Sequence, residues 1–287
     1  MKIYADCIVC NQRQVLDALF LIGAGEDEAL EVMQAVARAM ADLPRDTTPA
    51  RSTSIAHRIM RQMTGSEDPY CQIKARHTAV AVSLYPELKA LVREAEDPLL
   101  MALYVAIAGN IIDLATSAEL DVRAEVKKIL YKRLVVDHYA HFRKDASGAK
   151  SILYLGDNAG EVVFDRVLVE ELGPEKVTYV VKGSPVLNDA TLEDAKSAGM
   201  DEVCRVITTG DDSVGVEFDS ASKHFLRAYE EADIVLSKGQ ANFESLSEVD
   251  KEVYFLLQAK CTAVPRELRV PRWSLILKKR GHTERSV

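Results

Sequence analysis

The 287-residue sequence lacks any apolar run long enough to cross a lipid bilayer. A membrane-spanning helix needs about 20 consecutive apolar residues, and the longest candidate, residues 99–112, is interrupted by Gly109 and Asn110. The first residues also lack the apolar stretch of a secretory signal peptide, because Asp6 stands where that stretch would lie. We therefore expect a cytoplasmic protein that has no membrane partner.

An excess of positive charge is missing as well. The chain carries 36 basic and 44 acidic residues, a formal net charge of −8, whereas nucleic-acid-binding proteins usually present a basic face. The composition therefore predicts no nucleic-acid partner. Cysteine is also scarce, and its five residues are an odd number in a long chain without a secretion signal. This count argues against a disulfide framework.

What the sequence does contain changes in character near residue 150. Before this point apolar residues recur with helical spacing, and after it short β-type runs alternate with helical stretches. Such alternation is typical of βαβ units and a parallel sheet. We predict a multi-domain fold of α and α/β type. Residues 1–148 would form a mainly helical domain, a helical bundle, and residues 149–287 a Rossmann-like, mostly parallel sheet domain flanked by helices.

The pattern also predicts individual elements. The predicted helices cover residues 28–43, 53–63, 73–94 (broken near Pro86), 99–115, 123–142, 162–172, 192–198 and 218–231. The predicted strands cover residues 151–155, 176–181, 202–207, 233–237 and 253–258. The basic run at residues 278–280 is expected to be a solvated tail.

Polar residues follow four of the predicted strands, and residues 208–212 (Thr-Thr-Gly-Asp-Asp) follow the third of them. Asp157 and Asn158 follow the first strand directly, Asp189 lies in the loop after the second, and Lys238 and Gly239 follow the fourth. In a parallel sheet these positions share one edge, where ligands bind. Carboxylate and amide oxygens suit a hard divalent cation, and a lysine beside a glycine suits a phosphate. The alternative is that these residues only cap helices or form turns.

Three motifs together resemble those of the damage-control phosphatases, once catalogued as domain of unknown function 89. They are residues 156–161 (Gly-Asp-Asn-Ala-Gly-Glu), 188–191 (Asn-Asp-Ala-Thr) and 238–244 (Lys-Gly-Gln-Ala-Asn-Phe-Glu). The resemblance extends to residues 108–113 (Ala-Gly-Asn-Ile-Ile-Asp). It also includes Cys7, Cys10 and Cys71, which look like those of the family's cysteine-bearing prokaryotic branch.

This resemblance implies a metal-dependent phosphatase that hydrolyses small phosphorylated metabolites, such as sugar phosphates or damaged cofactor phosphates. A divalent metal (Mn, Co, Ni or Mg) would be held by Asp157, Asn158 and Asp189, and Lys238 would contact the phosphate. Asp157, Asn158 and Lys238 would then be the catalytic residues. The expected substrate-binding residues are Asn110, Asp113, Glu161, Gly239, Asn242 and Glu244.

The residues of the helical part leave alternatives open. Asn110 and Asp113 lie three apart on an otherwise apolar helix, so burial would require polar partners for both. Those partners are either another helix or a polar crevice. Cys7 and Cys10 with Cys71 form a metal site, a redox pair or a set of reduced thiols.

Two other functions also stay open. A strand followed by Gly-Asp-x-x-Gly at residues 156–160 loosely resembles the cofactor loop of S-adenosylmethionine-dependent methyltransferases. The third possibility is a non-catalytic module that binds a metal or a phosphorylated metabolite. The sequence makes no prediction of the oligomeric state.

Overall fold

The computed structural model describes residues 1–110, 128–129 and 132–281. Long helices dominate the first of these ranges. They are α1 (Ala5–Leu21), α2 (Glu26–Ala41), α3 (Pro49–Thr64), α4 (Cys71–Arg93) and α5 (Pro98–Ala108). Helices α1 to α3 pack around an apolar core of their own, which includes Val15, Val36 and Met60.

A seven-stranded sheet forms the centre of the described chain. Its strands are β1 (Leu134–Asp137), β2 (Ile152–Leu155), β3 (Val177–Val181), β4 (Arg205–Thr208), β5 (Ile234–Lys238), β6 (Val253–Gln258) and β7 (Leu275–Lys279). The order across the sheet is β1-β7-β6-β5-β2-β3-β4. Every neighbouring pair is parallel except β6 and β7, which are antiparallel. The prediction of a mostly parallel sheet is confirmed.

Further helices connect and cover the strands. They are α6 (Tyr139–Gly148), α7 (Val162–Leu172), α8 (Leu192–Ser197), α9 (Lys223–Glu231), α10 (Gln240–Leu246) and α11 (Ala263–Leu268). Alternate residues of β2 belong to two separate apolar clusters, with Tyr154 in one and Leu155 in the other. Both faces of the sheet are therefore covered, as in other parallel sheets. None of the described helices is long and apolar enough to span a membrane.

The strand order creates a switch point in the sheet. From β2 the chain runs outward through β3 to β4, and it then returns to β5 on the opposite side of β2. The connections that leave β2 and β5 therefore diverge, which opens a crevice at the carboxyl ends of these two neighbouring strands. This crevice is where the motifs after β2 and β5 meet.

The first helical part contributes one wall of this crevice. Helix α5 packs along α7, and α4 packs on the same helix. Gly109, directly after α5, lies so close to Phe164 of α7 that a Cβ there would be 3.0 Å from the Phe164 Cβ. This close approach brings Asn110 to the segment between β2 and α7. Asp113 lies outside the described residues.

Several predicted elements differ from the structure. The predicted helix over residues 123–142 is wrong at residues 134–137, which form β1, whereas residues 139–142 are helical as predicted, at the start of α6. The predicted break near Pro86 is also wrong, because α4 continues through this proline. Residues 278–280 are not a solvated tail, since β7 includes the first two of them and Lys279 pairs with Asp145 at 2.9 Å. Helix α1 was not predicted. The division into two domains at residue 148 stays a prediction.

Candidate active site

A cavity of about 230 Å³ lies at the carboxyl ends of β2, β3 and β5. Its wall includes seven of the predicted site residues: Asn110, Asp157, Asn158, Glu161, Asp189, Lys238 and Gly239. They come from four separate stretches of the chain, yet the fold brings them to one place. The polar residues after β4 do not reach it, because Asp211 and Asp212 line a different pocket.

Backbone hydrogen bonds place the two acidic segments side by side. Asp157 follows β2, and its carbonyl oxygen accepts from the Ala190 amide at 2.9 Å. Asn158 and Asp189 form an isolated antiparallel bridge, so the loop after β3 is fixed against the segment after β2. Asp157, Asn158 and Asp189 are all buried, with exposures of 9%, 8% and 4%.

Two glycines allow this close packing. Gly156 precedes Asp157, and a Cβ at Gly156 would overlap the hydroxyl group of Tyr179. Gly239 has a φ angle of +81°, and a Cβ there would overlap the carboxylate of Asp157. The backbone of β5 can therefore reach the Asp157 side chain only because residue 239 is glycine.

Glu161 is the centre of a buried hydrogen-bond network. Its Oε1 accepts from the side-chain amides of Asn158, at 2.8 Å, and Asn110. Its Oε2 accepts from Lys238 at 2.9 Å. The polar partner of Asn110 could have been either another helix or a polar crevice, and the structure shows that it lies in the crevice. Since Asn158 donates through Nδ2, its amide oxygen points away from Glu161.

Lys238 is held between two carboxylates. Its ammonium group also donates to Asp165 at 2.6 Å, and Asp165 accepts from Tyr154 at 2.8 Å and Tyr179 at 2.7 Å. Burial alone would lower the pKa of Lys238, but Asp165 and Glu161 outweigh burial and raise the pKa above its usual value. Lys238 therefore presents a fixed positive charge in the wall of the cavity.

A second buried lysine lies beside Asp189. The Lys182 ammonium is 3.6 Å from the Asp189 carboxylate, and it donates to the carbonyl oxygen of Gly215. Burial raises the pKa of Asp189, while Lys182 opposes that shift. Lys182 follows β3 directly, just as Lys238 ends β5. The same sequence signal could therefore have identified it, although no role was predicted for it.

Two predicted substrate-binding residues lie away from the cavity wall. Asn242 is buried and donates to the carbonyl oxygens of Gly156, at 3.0 Å, and Lys238, at 2.8 Å. It thereby ties the end of β2 to the end of β5. Glu244 lines a neighbouring pocket. The cavity wall also contains Gln14 and Lys260, for which the sequence offered no signal.

The oxygen atoms of the cavity suit a hard divalent cation. Among the described residues, no three His, Cys, Asp or Glu side chains form a group that could hold a metal ion by themselves. A cation at this edge of the sheet would therefore need the amide oxygen of Asn158 beside the carboxylates of Asp157 and Asp189. Its remaining ligands would be water or substrate oxygens.

The three cysteines grouped in the sequence, Cys7, Cys10 and Cys71, do not all line one pocket. All five are free thiols. Cys7, Cys10 and Cys261 line the neighbouring pocket together with Glu244. Cys71 stands exposed at the start of α4 and is not part of that lining. Burial raises the pKa of Cys7 to about 11, and the pKa of Cys10 and of Cys261 is raised for the same reason.

The fold and the cavity define an α/β protein whose ligand crevice is lined by oxygen atoms and a buried lysine. Residues 3–276 match the family described as the damage-control phosphatase ARMT1-like domain. The chain belongs to this family, as its motifs suggested.

Known relatives match most or nearly all of the chain. A damage-control phosphatase of Pyrococcus horikoshii is 33% identical, over 96% of this chain and 97% of the relative. A damage-control phosphatase of Archaeoglobus fulgidus is 36% identical, over 77% of this chain and 79% of the relative. The crystal structure of a DUF89 family protein from Pyrococcus horikoshii superposes with a TM-score of 0.90 at 32% identity, covering 98% of this chain and 99% of the other. These comparisons favour neither the methyltransferase nor the non-catalytic module.

Proposed function

We propose that this protein is a metal-dependent phosphatase that hydrolyses small phosphorylated metabolites in the cavity at the ends of β2, β3 and β5. The observation that carries this proposal is the convergence of Asp157, Asn158 and Asp189 beside the buried Lys238. The names of the relatives from Pyrococcus horikoshii and Archaeoglobus fulgidus support the same activity.

Asp157, Asn158 and Asp189 would hold the divalent cation (Mn, Co, Ni or Mg). A bound cation would stabilise the negative charge that develops on the phosphoryl oxygens. Phosphoryl transfer depends mainly on positioning and on charge neutralisation, so few catalytic side chains are required. The products would be inorganic phosphate and the free alcohol, with one oxygen of the phosphate supplied by water.

The protein residues would orient and neutralise the phosphate group. Lys238 supplies a fixed positive charge, which Glu161 and Asp165 hold in place, so little reorganisation accompanies the reaction. Gly239 lets the end of β5 pack against the Asp157 carboxylate because it has no side chain. Asn110 would complete the site from the helical part through its hydrogen bond to Glu161.

The proposal also defines the partner. The substrate would be a small phosphorylated metabolite. We propose neither a nucleic acid nor a membrane as a partner, because the chain carries a formal net charge of −8.

A titration of activity with several divalent ions on p-nitrophenyl phosphate tests the proposal. We expect hydrolysis with at least one ion, none in EDTA, and a loss of about 100-fold or more in kcat for Asp157→Ala. Asp250→Ala is the matched control, since the Asp250 side chain is fully exposed. Full activity in EDTA, or an unimpaired Asp157→Ala variant, would refute the proposal.

A further inference from the structure

A second pocket adjoins the proposed active site. Its volume is about 350 Å³, so it can hold a group considerably larger than a phosphate. The two cavities share a wall formed by Gln14, Leu187, Val214, Gln240 and Ala241. The two cavities are therefore adjacent, and the organic part of a phosphate ester bound at Asp157 would lie against these shared side chains.

Gln14, in the shared wall, differs from the other residues of the first cavity in its hydrogen bonding. Of the residues that line the first cavity, Gln14 alone has a buried side-chain atom, its Oε1, without a hydrogen-bond partner in the described part of the chain. Gln240 in the same wall differs, since its Oε1 accepts from the backbone amides of Lys260 at 2.8 Å and Cys261 at 3.2 Å.

The backbone position of Gln14 is well fixed. It lies one helical turn after Asn11 on α1, and Asn11 is hydrogen-bonded to Ser52 at 2.8 Å and to Thr53 at 2.7 Å. These bonds hold α1 against α3. The terminal amide of a glutamine nevertheless turns easily, because its last torsion is broad. A small rotation would therefore present the Gln14 oxygen to the pocket.

A buried amide oxygen without a partner is unfavourable, so a ligand that supplies a donor would be bound preferentially. We propose that Gln14 is a specificity-determining residue, whose Oε1 accepts a hydrogen bond from a hydroxyl or N–H group on the leaving group of the substrate. The leaving group would occupy the second pocket. This inference rests on the proposed phosphatase function.

The charges of the second pocket indicate which leaving group fits. Its lining contains one arginine, Arg272, and two carboxyl groups, Asp6 and Glu244. Burial raises the pKa of Glu244 to about 8, so Asp6 alone balances the charge of Arg272 at neutral pH. Arg272 already donates to the Lys260 carbonyl oxygen at 2.9 Å. This balance does not favour a second phosphate group. The leaving group is therefore an uncharged one that carries hydroxyl or N–H donors.

The test compares two esters in each variant. One is the sugar monophosphate that the wild type hydrolyses fastest in a panel that includes ribose 5-phosphate, and the other is p-nitrophenyl phosphate, whose leaving group has no donor. The measured quantity is the ratio of kcat/KM for the sugar phosphate to kcat/KM for p-nitrophenyl phosphate. We expect Gln14→Met, which keeps the size but removes the acceptor, to lower this ratio by about 5- to 10-fold.

Two further variants make the test specific. Gln14→Glu keeps an acceptor and should retain the ratio within about twofold. The added charge affects the hydrolysis of both esters alike, so it leaves their ratio unchanged. Gln34→Met on the exposed side of α2 controls for the loss of a glutamine elsewhere. An unchanged ratio in Gln14→Met, or an equal loss in Gln14→Glu, would overturn the inference.

Failure of the proposed function would be recognised separately. If the wild type hydrolyses neither ester with any divalent ion, the phosphatase proposal fails. Calorimetric binding of ribose 5-phosphate then tests Gln14 directly. A Kd that rises about 5- to 10-fold in Gln14→Met would support recognition by Gln14, whereas equal affinity, or no binding to the wild type, would overturn it.

Discussion

At the scale of single residues, the site depends on Gly239 as much as on its charged groups. Its φ angle of +81° is one that residues with a side chain adopt only with strain. Its missing Cβ leaves the space that the Asp157 carboxylate occupies. Two separate constraints, one on the backbone and one on packing, therefore act at the same position. A substitution can distinguish them if a second glycine has only one of the two.

Gly239→Ala should therefore impair both activity and stability. We expect kcat on p-nitrophenyl phosphate to fall about 100-fold, since displacement of a catalytic group by about 1 Å can have an effect of this size. Gly65→Ala is the matched control, because Gly65 has a φ of +68° but no atoms near its potential Cβ. The control should lose only about 1 kcal/mol of stability and keep its activity. Equal activity of the two variants would show that the Asp157 contact is unimportant.

Residue type and position also decide how much of the site the sequence could predict. Asp157, Asn158 and Lys238 were predicted because they follow or end recognisable buried strands, and such positions share one edge of a parallel sheet. Asn242 lies on a helix, where side-chain direction depends on packing, and it turns back to the ends of β2 and β5. Gln14 reaches the cavity from α1, and no local pattern reports a contact over that chain separation.

At the scale of elements, the strands in the middle of the sheet were easier to predict than β1 and β7, which lie at one of its edges. Strands β2, β3, β5 and β6 are mostly apolar and buried along nearly their whole length, as expected of strands covered on both faces. Strand β1 has only four residues, which alternate between buried and exposed. Strand β7 ends in lysines, and Lys279 is bound by Asp145 and Glu252 at 2.9 Å and 3.1 Å. The order of the strands depends on tertiary contacts that a single sequence does not encode locally.

Helix α10 carries a partly buried carboxyl group, that of Glu244, which makes the stability of the protein depend on pH. Burial raises the pKa of Glu244 to about 8, and the Met1 ammonium only partly opposes this. The folded protein therefore prefers protonated Glu244, whereas the unfolded chain ionises near the usual pKa of about 4.3. As pH rises from there to about 8, ionisation stabilises only the unfolded chain, so stability falls over this range and levels off above it.

Glu244→Gln should remove this loss. We expect the Tm of the variant, measured relative to wild type, to rise steadily between about pH 5 and pH 8 and to change little above pH 8. Glu31→Gln on the exposed face of α2 serves as the control and should follow the wild type at every pH. Parallel melting curves for Glu244→Gln and wild type would contradict the raised pKa.

At the scale of the whole molecule, helix α3 is bonded to the loop after β4, and this loop lines both cavities. Arg58 donates to Asp212 at 2.6 Å, and Arg61 pairs with the same carboxylate. Two residues further on, the Val214 amide donates to the Ser54 hydroxyl of α3 at 2.8 Å. Val214 lines both the proposed active site and the second pocket. The helical part therefore shapes the site through this loop as well as through Asn110.

Asp212→Ala should separate this role from that of an ordinary surface ion pair. It would leave two guanidinium groups without their shared carboxylate, and the Arg61 side chain is only 13% exposed. We expect the free energy of unfolding, measured in urea, to fall by about 2–3 kcal/mol. The KM for a sugar phosphate should rise with little change in kcat, because Val214 lies in the wall and not beside the reacting phosphate.

The matched control is Glu231→Ala, which breaks the exposed pair of Arg227 and Glu231 on α9. Exposed pairs of this kind contribute little to stability because solvent screens them, so stability and KM should both stay near wild type. If Asp212→Ala behaves like this control, the contact between α3 and the loop does not support the cavity wall. If Asp212→Ala loses stability but keeps its KM, the contact stabilises the fold without shaping the site. Of the contributions from the helical part described here, only those of Asn110 and Gln14 would then affect substrate binding.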